Sequence, residues 1–416
     1  MLSASGNDIF HKFSVPDSLK TKYLSAKNFN RKIDILNDIA TYFSSRNPDA
    51  SVIISHLAFN MADSVKYKYG QYEATNNLGI AFYRASRYKQ AMLSMNSAYN
   101  IAENLKMPNK MAAVLSNIAL VYNSLGDYEN ALKYNFNSLK IRTSINDSIG
   151  VAFSYNNIGT TYHYKSNYSQ ALEYYLKALK LKQTLHDKEG MASTYNNIGQ
   201  LFVEMYSDSL EWPLDSALEY FLKAYYTWSS TSNKSGLSEV LPNIGNVYSL
   251  KNLNDRAFDA YLAAMNVQKQ ANDSAGLALT YYNIGIVYYN QHNFKLAKSY
   301  FNNSVIISRQ HLISDLVKDN LKMLFLLDGN NGEYKQAYNH AYEFVKINDS
   351  LVELSKNRLI EDYSSKSEFQ AYENKKLQNV MLKSRMWIII LSISSLLLFI
   401  SIIITILKKR KSNKKL

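Results

Sequence analysis

The phrase Tyr155-Asn-Asn-Ile-Gly159 returns unchanged forty residues later as Tyr195-Asn-Asn-Ile-Gly199. Altered copies stand at Asn76-Asn-Leu-Gly79, Pro242-Asn-Ile-Gly245 and Tyr282-Asn-Ile-Gly285, and a looser one at Ser116-Asn-Ile-Ala119. The final residue of the phrase falls at 79, 119, 159, 199, 245 and 285, a step of 40 everywhere except one of 46. Self-similarity at such a period means stacked supersecondary units, each unable to bury its apolar face without a neighbour.

One unit reads as two helices. In the copy from Gly150 to Glu189, Val151, Tyr155, Ile158 and Tyr162 recur at helical spacing. Lys165-Ser-Asn-Tyr168 interrupts, and Ala171, Tyr174, Tyr175, Ala178, Leu179 and Leu185 resume the pattern. A glycine in mid-helix costs about 1 kcal/mol against alanine, so its recurrence needs a packing reason. Ala91, Ala131, Ala171, Ala217, Ala257 and Ala297 are its expected partners, twelve residues on in all copies but the fourth, where Met205 to Pro213 lengthens the turn.

This pattern resembles the tetratricopeptide repeat family, whose unit runs aromatic, Leu-Gly, aromatic, Ala and a second small residue. Tyr155, Ile158-Gly159, Tyr162, Tyr168, Ala171 and Ala178 carry the resemblance. It implies an all-α, helical-hairpin solenoid that binds protein or peptide on its inner face. The period here exceeds the family's 34 residues. The surplus lies around inter-repeat turns such as Asn146 to Gly150 and Asn272 to Gly276, so longer second helices are expected.

The formal net charge of +13 must be apportioned before it implies a partner. Six Lys/Arg crowd into 408–416, and the remaining +7 is spread among acidic residues. No basic stripe for phosphate is evident, so nucleic acid is not an expected partner. The absence of cysteine excludes disulfide and thiolate chemistry.

Along the chain, 1–29 reads as a flexible lead-in and 30–350 as the solenoid, with six clear repeats over about 70–312 and degenerate pairs at each end. Arg31 to Tyr67 is the worn first pair, with Val52 to Met61 as its second helix; Leu316 to Ile347 is the worn last pair. Pro242 sits inside a first helix, where its missing N–H predicts either a kink or a local irregularity absorbed by neighbours. Residues 351–385 read as a helical stalk: a coiled coil that would make a homodimer, or one amphipathic helix against the last repeat.

Met386 to Leu407 has 22 residues without a charge, about 33 Å of helix against a hydrocarbon core of roughly 30 Å. It is expected to span a lipid bilayer once, with the basic tail 408–416 following. The positive-inside rule then places the tail in the cytoplasm and the repeats outside it, at a bacterial inner membrane. Residues 1–29 lack the apolar run of a secretory signal. Either a segment lies upstream, which the charge of the tail favours, or the chain is tail-anchored with cytoplasmic repeats.

The seven histidines show no metal spacing, no phosphate loop is present, and no cofactor or catalytic group is expected. The Asp147-Ser148 and Asp273-Ser274 pairs recur with the fold period and read as caps. The site candidates are instead one asparagine per repeat: Asn77, Asn117, Asn157, Asn197, Asn243 and Asn283. An amide offers both donor and acceptor, so such a row suits either the backbone of an extended peptide or a bridge between adjacent helices. It resembles the asparagine ladder inside the repeats of the transferase that attaches N-acetylglucosamine to serine and threonine, and of kinesin light chain.

Variable positions beside the row, His163, Gln200 and Asn246, would set specificity. The loop with Trp212 and Pro213 is a separate contact candidate. A non-enzymatic, membrane-anchored interaction scaffold is the function expected. The alternative is the ligand-sensing half of a bacterial signalling system, a layout this chain also resembles, with its kinase or DNA-binding output elsewhere.

Overall fold

The computed structural model describes residues 8–207, 212–311 and 313–353, with Gln378, Met381, Leu382 and Met386 beyond them. The chain divides into two compact units, Met1–Ser355 and Lys356–Leu416. All helices named here belong to the first. Two short ones, α1 (Asp8–Lys12) and α2 (Asp17–Ser25), precede a run of hairpins. These pair α3 (Phe29–Ser44) with α4 (Pro48–Ser64), α5 (Lys68–Arg84) with α6 (Tyr88–Asn104), and α7 (Pro108–Ser124) with α8 (Tyr128–Ser144). They continue with α9 (Ser148–Tyr164) and α10 (Tyr168–Thr184), α11 (Lys188–Glu204) and α12 (Trp212–Thr231), and α13 (Lys234–Leu250) and α14 (Asn254–Ala271). Last come α15 (Ser274–Asn290) with α16 (Phe294–Gln310), and α17 (Ser314–Asn330) with helical residues 334–353.

Both helices of the α9–α10 hairpin have 17 residues. Two such helices and two three-residue turns fill the forty-residue period, so in this hairpin the surplus over the family unit is shared, whereas α12, with 20 residues, and α14, with 18, are each longer than the first helix of their pair. The turns explain why the period is held. After α9, Ser166 adopts φ 58°, and the Asn167 N–H returns to the Tyr162 carbonyl at 2.9 Å. The Asn167 side chain then accepts the Gln170 N–H, so one residue closes one helix and opens the next. Asp127, Asp147, Asp187 and Asn293 repeat the device, each accepting a backbone N–H of the helix that follows.

The mid-helix glycine lies under a side chain from the second helix. A Cβ on Gly159 would meet Tyr175 Cδ1 at 2.7 Å and the Ala171 carbonyl at 3.2 Å. Phe221, Tyr261 and Phe301 cover Gly199, Gly245 and Gly285 in the same way, and Met95 covers Gly79. Tyr175, Phe221, Tyr261 and Phe301 are all at least 99% buried. Each ring contributes roughly 1.5–3 kcal/mol by burial, more than the glycine forfeits in helix propensity. Where the glycine becomes Ala119, the equivalent position on α8 is the smaller Asn135, which donates to Thr161 of the next repeat at 3.1 Å.

Each first helix packs on the first helix of the next hairpin: α3 on α5, α5 on α7, and so on to α13 on α15. Second helices do not meet one another to the same extent, so the first helices form the inner layer of the curve. The solenoid expected from the repeats is therefore present over the first unit.

One expectation changes, one pair of alternatives narrows, and one expectation falls outside the described residues. Residues 8–12 and 17–25 are helical and docked, not a flexible lead-in, because Ile9 and Tyr23 are buried and Phe10, Phe13 and Leu19 pack beside them against Leu36 and Ile39 of α3. They cap the open end of the array. Secondly, α13 runs unbroken through Pro242, which fits the irregularity absorbed by neighbours. Finally, no helix among the described residues is long and apolar enough to cross a membrane. The expected span 386–407, of which only Met386 is described, lies outside them, as do the tail 408–416 and most of the stalk 351–385.

Candidate functional site

The asparagine row sits on the inner layer and links one first helix to the one before. Asn117 donates to Asn76 Oδ1 at 3.4 Å, and Asn197 to Asn156 Oδ1 at 3.4 Å. Asn243 donates to Asn196 Oδ1 and Asn283 to Asn246 Oδ1, both at 3.1 Å. These four side chains are half-buried, which leaves room for a second partner at each amide. Asn157 is half-buried as well and makes no such bond among the described residues. Asn77 is buried, donating to the Asn37 carbonyl at 3.1 Å and accepting from Thr41.

The structure brings three of the candidates into one place. Gln200 of α11, with Asn243 and Asn246 of α13, lines a cavity of about 590 Å³ whose other walls include Glu239, Gln268, Asp273 and Leu279. Arg46 lines the same cavity, although it belongs to the turn between α3 and α4. The run of hairpins therefore curls far enough to set its N-terminal turn beside its fifth and sixth repeats.

Charge within this cavity is unevenly satisfied. Asp273 caps α15, accepting the Gly276 N–H, and also accepts from Ser238. Glu239 accepts from Asn196 Nδ2 at 2.8 Å through Oε1 alone. Glu239 is exposed to solvent at the cavity, and the part of it that packs against protein pushes its carboxyl up against the weaker opposing pull of Asn196. Arg46 stacks on the Tyr42 ring at 4.2 Å and donates one nitrogen to the Tyr42 carbonyl. The Gln200 side chain makes no hydrogen bond among the described residues. Asn246 Oδ1 accepts from both Asn283 and Tyr261, so its Nδ2 group is left to donate.

His163 does not line this cavity. It is buried among the rings of Tyr164, Tyr168 and Tyr175, with Nε2 2.9 Å from Glu204 Oε2 but off the hydrogen-bonding line. Trp212 is half-exposed and edges onto Phe202. Among the described residues no three His, Asp or Glu side chains are placed to hold a metal ion.

Sequence reasoning passed over a second polar series, in the last turn of the second helices. Buried Arg142 donates to the Gly150 carbonyl at 2.6 Å and reaches Ser154 Oγ. Buried Lys182 donates to the Gly190 carbonyl at 3.0 Å and to Thr194 at 2.8 Å. Gln268 accepts from Thr280 at 3.0 Å. The constant sign is a hydroxyl twelve residues on (Ser154, Thr194, Thr280), visible in the sequence once the geometry is known.

A solenoid of helical hairpins with an amide-lined inner face is the class these features define. Residues 110–184, which cover most of α7 and all of α8, α9 and α10, match the family described as Tetratricopeptide repeat. The flanking hairpins repeat the plan of that matched stretch. No curated protein matches the chain. Among solved structures, it is similar to a signal transduction ATPase of the STAND class with a tetratricopeptide repeat sensor, from Pyrococcus horikoshii. The identity is 16%, over 86% of this chain and 55% of that one, with a TM-score of 0.56. It is also similar to a Rap protein complexed with competence and sporulation factor, at 15% identity over 84% and 99% of the two chains, TM-score 0.51. A third is the apo quorum sensor NprR from B. thuringiensis, at 13% identity over 80% and 91%, TM-score 0.53. At these identities the likeness concerns the fold.

Proposed function

We propose that this protein is a non-enzymatic interaction scaffold whose inner face takes up a peptide or an extended segment of a protein partner. The observation that carries this is the 590 Å³ cavity on the inner layer, where Gln200, Asn243 and Asn246 converge. Amides suit a peptide backbone because each presents donor and acceptor together, independent of the side chains that pass. The Rap protein of similar fold was solved complexed with competence and sporulation factor, which supports a binding role for this fold here. In the same proposal, Met386 to Leu407 tethers the scaffold to a lipid bilayer on its length and lack of charge. Protease treatment of spheroplasts tests the tether's sidedness: repeats that are cleaved lie outside the cytoplasm.

The groove itself is tested by a crosslinking pull-down with Gln200→Ala beside the triple variant Asn157→Ala, Asn197→Ala, Asn243→Ala. Gln200 holds nothing else in place, so its loss removes contact without removing support. Partners captured equally by wild type and both folded variants would make the asparagine row a purely architectural device. A sensory role rests on the layout of repeats followed by a charge-free segment, and is favoured if partner capture alters an output protein bound to the tail.

A further inference from the structure

The cavity that underlies the proposed function has two charged walls with unused capacity, and they come from opposite ends of the repeat array. Glu239 keeps Oε2 without a partner among the described residues, while Asn196 fixes its Oε1. Arg46 keeps its remaining guanidinium nitrogens unbonded among the described residues, while Tyr42 fixes its plane from below and through one nitrogen. Between them stand Gln200, with a free donor and acceptor, and Asn246, with a free donor. The volume of about 590 Å³ lies in the range of pockets for small ligands, about 300–1,000 Å³, and is far too small for a folded surface.

We propose that the cavity is an end-recognition site for a short free peptide, with the N-terminal ammonium on Glu239, the C-terminal carboxylate on Arg46, and the backbone between them on Gln200 and Asn246. This inference rests on the peptide-binding reading and narrows it to a ligand class. A carboxylate with one oxygen held by an amide and the other open to the cavity is a site for a cation, which it can meet without first giving up a partner. A guanidinium with free edges is the side chain best shaped to take a carboxylate in two parallel bonds. Pre-positioning by Asn196 and Tyr42 means that little side-chain freedom is lost when the ligand enters. A peptide held at both ends also links the α3–α4 turn to α13.

The test equilibrates the full-length protein with three tetrapeptide mixtures of identical composition: free termini, N-acetylated and C-amidated. Retained peptide is measured by size exclusion and mass spectrometry. The arrangement predicts at least tenfold more retention of the free mixture than of either blocked one. Glu239→Gln removes the preference for a free amine, and Arg46→Gln removes the preference for a free carboxylate, each without the other. Both side chains reach solvent, and circular dichroism melting of each variant confirms that the fold persists. Retention that ignores blocking and both substitutions overturns the two-ended site while leaving peptide binding intact. No retention of any mixture, alongside partner capture that depends on Gln200, overturns the ligand class alone. Failure of both experiments removes the scaffold reading as well.

Discussion

The Gln268 side chain donates from Nε2 to the Ser238 carbonyl at 3.4 Å, and Ser238 lies four residues before Pro242. That carbonyl is the one Pro242 cannot serve, having no N–H. A residue on the second helix thus repairs the backbone of the first, and α13 stays helical across the proline.

Replacing Pro242 with Ala restores the helical bond and is expected to raise stability by about 1–3 kcal/mol in urea denaturation. Gln268→Leu, which abandons both Ser238 and Thr280, is expected to cost about 1–3 kcal/mol in the native sequence. The cost should shrink by at least ~0.5 kcal/mol when Pro242→Ala is already present, because only Thr280 then loses its partner. Additive effects would mean that Gln268 does not serve the freed carbonyl.

Two glycines should respond with opposite sign. Gly159→Ala drives a Cβ into the Tyr175 ring and toward the Ala171 carbonyl, and overpacking of this kind costs about 1–3 kcal/mol, which exceeds the helix-propensity gain. A Cβ on Gly329 meets nothing within 4 Å, so Gly329→Ala is expected to stabilise α17 by up to about 1 kcal/mol. Thermal melts of the two variants read the difference directly.

Lys182 should make stability depend on alkaline pH. Burial lowers its pKa from 10.5 to about 8, with the Asp187 carboxylate opposing the shift. Between those values the unfolded chain binds the extra proton, so stability rises with pH through the window from about 8 to 10.5. Below it both states are protonated and the burial cost, roughly 3 kcal/mol, is present in full. Lys182→Gln, which copies Gln268, is expected to flatten this rise in denaturation midpoints measured from pH 7.5 to 10.

The last hairpin is pinned by a fully buried carboxylate. Lys298 Nζ lies 2.6 Å from Asp328 Oδ1, off the hydrogen-bonding direction, and His340 Nδ1 lies 2.9 Å from Oδ2. Asp328→Ala takes the buried anion from His340 and from Lys298, which keeps Glu333 and Gln336, and is expected to cost about 1–3 kcal/mol. Hydrogen exchange should speed up in α17 and 334–353 while α5 to α10 keep their protection. Uniform loss across the unit would mean that the array melts as one piece.

The hairpins were legible because Gly159, Ala171 and their counterparts have few substitutes where helices touch. Their true opposite numbers were less so: Tyr175, Phe221 and Met95 differ in kind, and only contact shows that they do one job. Arg142, Lys182 and Gln268 escaped notice for the same reason, since three unlike side chains reach the same place. The cavity was half legible. Gln200, Asn243 and Asn246 follow from the repeat phase, but Arg46 depends on curvature summed over every intervening hairpin, which no local pattern encodes. The helices α1 and α2 were missed because Ile9, Phe13 and Tyr23 follow no period of their own and gain order from α3.

Because each block of forty residues closes on itself, an ancestral gene could lengthen or shorten the array by whole blocks without putting any helix out of phase. Such a change would leave every hairpin sound and yet carry Arg46 past Glu239 by one step along the spiral. The tally of blocks therefore acts as a gauge for the bore, and an evolutionary duplication would retune what the coil admits before a single lining residue had mutated.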